Sequence, residues 1–299
     1  MTLSVVVVAH DMARELPRTL RSLAVPYQQG IDPEAYELIV IDNGSPEPLT
    51  VPRDLRTRVR LHRIEGASAS PAPAANVGIG MAEGDLIGLL VDGARMASPG
   101  LLAAAVLADG LAEQTIVTAP AWHLGAERQT GAEPGHDQAA EDVLLEQAGW
   151  EDDGYRLFSI STPAASSARG LFGPKGESSS IFLRKEMWQA LGGLDERFQL
   201  PGGGLVNHDL YRRACALPHV RLVVLLGEGT FHQVHGGAAT SGRVSRAEMR
   251  ADYEAICGAP HRPPSNRRLF VGTVSPQYLP YLAESVVLAE GAQAVPGAG

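Results

Sequence analysis

The stretch Asp85-Leu-Ile-Gly-Leu-Leu-Val-Asp92-Gly-Ala-Arg-Met-Ala-Ser98-Pro99-Gly100 decides the architecture. Leu86–Val91 is apolar throughout and runs into a lone acid, Asp92. A strand with no polar alternation is covered on both faces, as in a parallel sheet between layers of helix. Ser98 and Pro99 then read as a helix start, because Ser caps a first turn and Pro fits its opening position. An acid at the carboxyl end of a buried strand lies where open α/β sheets bind their ligands.

The same grammar repeats outward from this stretch. Leu3–Ala9 is a continuous β-branched strand, and Glu37–Asp42 is a second, closed by the Asn43-Gly44-Ser45-Pro46 turn. Arg58–Ile64, Leu86–Val91 and Gln114–Ala121 follow as the third, fourth and fifth strands. Between them fall helices over Arg14–Ala24, with Leu16, Leu20 and Leu23 at helical spacing, over Asn76–Glu83, and from Ser98 to Ala108. The alternation predicts an α/β fold: a doubly wound, mostly parallel sheet with helices on both faces. Further on, Glu133–Asp153 holds eight acids and no Lys or Arg, with a helix over Ala139–Gly149. Ser161–Gly176 is rich in Ser, Ala, Gly and Pro and reads as a mobile loop. Ser179–Arg184 and Arg221–Leu226 read as strands and Ala247–Cys257 as a helix.

The chain has 299 residues, enough to bury a large core. Its formal net charge of -9 argues against nucleic acid and anionic membrane surfaces as partners. Cys215 and Cys257 are far apart in sequence and form no metal-type spacing, which suits a reduced, cytoplasmic setting. The first residues lack a basic region and a small-residue cleavage site. No apolar run reaches about 18 residues unbroken, so no transmembrane segment is expected.

Four segments, in order, resemble the family-2 glycosyltransferases of the A-type (GT-A) fold. They are Ser4-Val-Val-Val-Val-Ala-His10-Asp11 with Leu16–Leu23; Leu38-Ile-Val-Ile-Asp42-Asn43-Gly-Ser45; Ala75-Asn76-Val-Gly78 through Gly84-Asp85 into Leu89-Leu-Val-Asp92; and Leu191-Gly-Gly-Leu-Asp195-Glu196-Arg-Phe198 with Asn207-His208-Asp209-Leu210-Tyr-Arg212. The resemblance implies one GT-A-like domain over 1–240, with a nucleotide-binding half (1–121) and an acceptor half (122–240). An Arg-rich helical extension (241–285) and a flexible tail (286–299) would follow. It implies an inverting transfer of sugar from a UDP- or GDP-type donor to a carbohydrate or glycoconjugate acceptor, in polysaccharide, glycolipid or secondary-metabolite glycan synthesis.

The chemistry of such a transfer needs a held nucleotide, a neutralised diphosphate and a deprotonated acceptor. For the nucleotide, the resemblance points to Ala9, His10, Asp11, Asp42, Asn76, Asp92 and Gly93. Asp42 could instead cap its own Asn-Gly turn, and Asp11 could cap a helix. For the diphosphate, the family uses Asp-X-Asp with a divalent metal. Here Asp92 keeps the first acid and Ala94 stands at the second. A compensating group lies in Thr230-Phe-His232-Gln-Val-His235-Gly-Gly237. An Asp92, His232 and His235 set would suit Mn2+, with Mg2+ as the alternative. Arg95 is a phosphate contact or a surface arginine. For the base, the family's Glu-Asp-X-Asp-Leu pattern survives as Val206-Asn207-His208-Asp209-Leu210, which leaves Asp209 and His208 as candidates. Asp209 could instead complement the helix dipole. These losses keep a second interpretation open, a catalytically degenerate sugar-nucleotide-binding protein.

Overall fold

The computed structural model describes residues 2–129, 136–164, 167, 171–172, 179–237 and 244–293. In chain order the elements are β1 (Leu3–Ala9), α1 (Leu16–Leu23), β2 (Tyr36–Asp42), β3 (Arg58–Arg63), α2 (Ala72–Met81), β4 (Leu86–Leu90), β5 (Arg95–Ala97), α3 (Leu101–Asp109), β6 (Thr115–Thr118) and β7 (Ala121–Leu124). Then come α4 (Gln138–Ala148), β8 (Ser161–Pro163), β9 (Ser180–Arg184), α5 (Lys185–Leu191), α6 (Val206–Cys215), β10 (Arg221–Leu225), β11 (Thr230–His232), α7 (Arg246–Cys257), β12 (Arg268–Val271) and α8 (Leu279–Gln293).

The main sheet has eight strands in the order β12-β10-β6-β9-β4-β1-β2-β3. Only β9 runs antiparallel to its neighbours, β4 and β6. Every residue of β1, β2 and β4 is buried. Alternation then divides the core between two faces. Val5, Val7, Leu38 and Val40 pack with α1 and α3, while Val6, Val8, Ile39 and Ile41 pack with α2, α5, α6 and α7. This is the doubly wound, mostly parallel arrangement expected. The winding runs from β1 outward through β2 to β3 and then returns to β4 on the other side of β1, which makes the gap between β1 and β4 the topological switch point.

Several local expectations need correction. The expected fifth strand is two strands. Pro120 has no N–H to continue a ladder, and after it β7 leaves for a second sheet of order β5-β11-β7-β8. Ser98 does not cap α3; Gly100 holds that position, and the Ser98 hydroxyl donates instead to the buried Glu228 carboxylate. A capping Ser would have to accept from the helix N–H groups, but the Ser98 Oγ already accepts from the Gly229 N–H at 3.0 Å, while the Glu228 carboxylate that takes its proton also accepts from Tyr155 Oη and the Gly100 N–H. Helix α2 begins four residues earlier than expected, at Ala72, with Pro73 in its first turn. The stretch read as a helical extension also contains β12, which pairs with β10 at the edge of the main sheet. Of the expected loop 161–176, Ser161–Pro163 forms β8, and most of the remainder lies outside the described residues; of the expected flexible tail 286–299, residues 286–293 instead continue α8 and 294–299 lie outside the described residues. Among the described residues no helix is long and apolar enough to cross a membrane.

Candidate active site

The small sheet carries two different faces. Met96, Trp122, Leu124 and Phe231 point into an aromatic core with Phe158, Tyr278 and Tyr281. Their strand neighbours must therefore point the other way. Register places Arg95 opposite His232 and His232 opposite His123, so these three polar side chains form one row across β5, β11 and β7.

Asp92 meets this row from the main sheet, just past the end of β4. Its Oδ2 is 3.1 Å from His232 Nε2 and 3.9 Å from His235 Nε2. The two imidazole Nε2 atoms are 3.0 Å apart. Asp92 Oδ1 accepts from the Ala94 N–H, which closes the turn. Among the described residues, Asp92, His232 and His235 form the one group of three side chains with metal-ligating atoms this close. Two ligands on one cation at right angles, each about 2.1 Å away, stand about 3 Å apart. The spacing here is of that order, so the donor set fits a single small divalent cation.

The residues between the two histidines are pinned. The Gln233 N–H donates to Ala94 O, and its side-chain amide donates to Glu15 O and Thr19 Oγ1. The Val234 N–H donates to Glu141 Oε2 at 2.8 Å, and Arg14 donates to Glu141 Oε1.

Electrostatics favour ligation. Burial alone would raise the Asp92 carboxyl, but His232, Arg95 and His235 outweigh it and hold the group well below the ordinary carboxylate range. Burial pushes the His235 imidazole down to about 4 against the pull of Asp92, so it is neutral near pH 7. Burial, with repulsion from His232 and Arg95, likewise pushes His123 down to about 3. Arg95 is 14% exposed in its side chain, and its Nε lies 3.7 Å from Asp92 Oδ2. Its Nε and Nη1 are shielded from solvent and donate to nothing among the described residues.

Glu141 makes the pinned segment sensitive to pH. Burial pushes its carboxyl up to about 7, although Val234 and Arg14 pull against that. A carboxyl raised on folding binds its proton more tightly in the native state. Its contribution is therefore full below about 4.5 and lost as pH rises to about 7. Over that window we expect stability to fall by about 3 kcal/mol. Glu141→Gln should flatten the slope in chemical denaturation followed across the window; an unchanged slope would remove Glu141 as its source.

The remaining sequence-derived residues separate into two groups. Ala9, His10 and Asp11 lie at the end of β1, beside Asp92 and Gly93 at the end of β4. The Ala9 carbonyl accepts from Asn43 N–H, His10 Nδ1 donates to Asn43 O, and Asp11 N–H donates to Ser45 Oγ. Asp11 has φ +55°, a left-handed conformation that Asp tolerates. Gly93 is required by close approach: a Cβ there would stand 2.5 Å from Ala9 Cβ.

The second group is held by other partners. Asp42 Oδ1 accepts from Ser45 N–H, and Oδ2 accepts from Leu49 N–H and, at 2.8 Å, from Arg63. Those bonds outweigh burial and lower its carboxyl. The Asn76 amide bonds Leu194 N–H, Leu194 O and Glu196, tying α2 to the loop after α5. Asp209, 2% exposed, accepts from Arg212 at 3.0 Å and Arg213 at 2.6 Å, with Cys257 Sγ at 3.7 Å. The bonding partners of Asp209 are distinct from those of Asp92. His208 is half-buried in the first turn of α6, its ring edge-on to His261. The sequence reading missed Gln129, whose amide oxygen is 2.6 Å from His232 Nδ1. A lone Gln six residues after His123 carries no signal of its own.

An open α/β sheet with an acid at its switch point and imidazoles facing that acid has the architecture of the GT-A nucleotide-diphospho-sugar transferases. The chain belongs to the glycosyltransferase-like family 2, whose sequence profile matches residues 5–223. No curated protein matches the sequence. Among solved structures, the mannosyltransferase PcManGT from Pyrobaculum calidifontis, in complex with GDP-Man and Mn2+, is similar at 15% identity and TM-score 0.53, over 99% of this chain and 76% of that one. Staphylococcus (S.) aureus TarS 1-349 in complex with UDP-GlcNAc is similar at 13% identity and TM-score 0.52, over 86% of this chain and 66% of that one. The chain spans 60% of TarS 1-349 in another of its structures and 43% of the longer TarS chain. At these identities the likeness shows the fold.

Proposed function

We propose that the protein is an inverting glycosyltransferase that moves a sugar from a UDP- or GDP-linked donor to a carbohydrate or glycoconjugate hydroxyl. The observation that carries this reading is the convergence of Asp92 Oδ2, His232 Nε2 and His235 Nε2 at the switch point of the sheet. These residues would hold a divalent cation, Mn2+ before Mg2+ because two of the three donors are imidazoles. The cation would neutralise charge on the departing diphosphate.

Charge counting supports a place for Arg95. Two carboxylates around a divalent ion sum to zero. One carboxylate, two neutral imidazoles, the ion and a guanidinium sum to +2, which matches a diphosphate. The free N–H groups of Arg95 supply donors for its oxygens. Ala9, His10 and Asp11 would flank the base and ribose. Asp42 and Asn76, bonded as they are, would act by shaping the neighbouring loops. Residues 1–121 would then serve the nucleotide and 122–240 the acceptor, with His232 and His235 of the second half reaching the donor's diphosphate. The free cysteines, Cys215 and Cys257, suit a cytoplasmic reaction.

For the acceptor proton, the ion pairs of Asp209 favour His208 as the base, since an imidazole exchanges a proton near neutral pH. His208→Gln should keep donor affinity and lower transfer by about 100- to 10,000-fold. Asp209→Asn should instead lower stability, by roughly 1–3 kcal/mol, because it leaves two guanidiniums short of a partner. An Asp209→Asn protein of native stability and no transfer would return the base to Asp209.

The decisive measurement is calorimetric titration with UDP and GDP, with and without Mn2+, followed by transfer assays with UDP-GlcNAc and GDP-Man. One nucleotide should bind in a Mn2+-dependent manner and its sugar should turn over. Binding without turnover would favour the degenerate binding protein; no binding of either nucleotide would overturn both.

A further inference from the structure

We propose that Gln129 is a positioning residue that presets His232 as a metal ligand by fixing its tautomer. This rests on the reading of Asp92, His232 and His235 as a cation site. An amide side chain can usually be turned over without changing its shape, so its orientation must be argued from its neighbours. Here the neighbours decide. Gln129 Nε2 donates to Leu124 O at 3.3 Å and to His232 O at 3.2 Å. Turned over, the amide oxygen would face two carbonyl oxygens. The oxygen must therefore face His232 Nδ1, at 2.6 Å. An acceptor at that distance requires a proton on Nδ1. With Nδ1 committed to the Gln129 oxygen, Nε2, the atom turned toward Asp92 and His235, is the ring nitrogen left to give a lone pair to a cation.

The same residue also grips the neighbouring histidine. The Gln129 backbone N–H donates to His123 Nδ1 at 2.7 Å, which puts the lone pair of His123 on Nδ1 and its proton on Nε2. The two rings are 5.5 Å apart, and Gln129 holds them in opposite tautomers. Only His232 is thereby prepared to ligate through Nε2. Without the Gln129 oxygen, nothing described holds a proton on His232 Nδ1. The proton then favours Nε2, where it donates to Asp92 Oδ2, and a cation must displace it.

The test uses Gln129→Met, which keeps the length of the side chain and removes its amide. Imidazole 15N NMR on the metal-free wild-type protein should show Nδ1 of His232 protonated; an unprotonated Nδ1 overturns the inference without need of a variant. In Gln129→Met the proton should shift toward Nε2, and Mn2+ affinity, followed by electron paramagnetic resonance, should fall roughly 10- to 100-fold. Wild-type affinity in Gln129→Met overturns the role of Gln129 and leaves the cation site standing. A wild-type protein that binds no Mn2+ overturns the inference together with the site, a result distinct from the tautomer readout.

Discussion

Asp92→Asn is expected to lose Mn2+ affinity by at least about 100-fold, roughly 3 kcal/mol, and to lower transfer by about a thousandfold. The substitution is chosen because the side chain does two jobs. Its Oδ1 closes the turn by accepting from Ala94 N–H, and an Asn oxygen can do the same. Its Oδ2 is the one anionic donor in the cluster with His232 and His235, and an amide cannot replace that charge. Loss of metal with retention of fold is therefore the signature. Calorimetry and circular dichroism on the same preparation would read both. Native Mn2+ affinity in the variant would mean that the two imidazoles bind the ion alone or that the ion binds elsewhere, and the proposed chemistry would fall with it.

Arg95→Met should separate the diphosphate from the rest of the donor. The guanidinium's Nε and Nη1 are shielded and donate to nothing described. Removing it does leave the Asp92 carboxylate, 3.7 Å away, without its guanidinium neighbour, so a loss of stability is expected beside the loss of binding. For a diphosphate the same groups are worth roughly 1.5–3 kcal/mol, so UDP or GDP affinity should drop about 10- to 100-fold. Affinity for the corresponding nucleoside, which has no phosphate, should not change. Arg95→Lys should recover part of the loss, because it restores the charge but not the fork of donors. Parallel losses for nucleoside and diphosphate would place Arg95 in the scaffold instead.

The sheet was legible because β1, β2 and β4 are apolar on both faces, a pattern few other structures demand. The Asp92 and histidine cluster was legible too, since an acid ending a strand and two imidazoles beside paired glycines are unusual in themselves. The partners of the other candidate acids were not. Nothing next to Asp42 in sequence announces that Arg63 will close on it from the adjacent strand, and Arg212 and Arg213 read as an ordinary basic helix end. A motif shows where a carboxylate stands; its partners, set by register and helix phase, decide whether the charge is available. Gln129 was hidden for the same reason, as its meaning comes from lying against two histidines of neighbouring strands. The second sheet was hidden because its strands are only three or four residues long, too short for a period to declare itself.

Asp92 hangs from the eight-stranded sheet, whereas His232 belongs to the four-stranded one. An ion gripped by both therefore works as a rivet between two plates, and part of its binding free energy becomes cohesion between them. Amide hydrogens in β5, β7 and β11 should exchange with solvent more slowly as Mn2+ is added, while those at the heart of the larger plate keep their pace. Occupancy by the ion would then be recorded in how often the smaller plate swings loose.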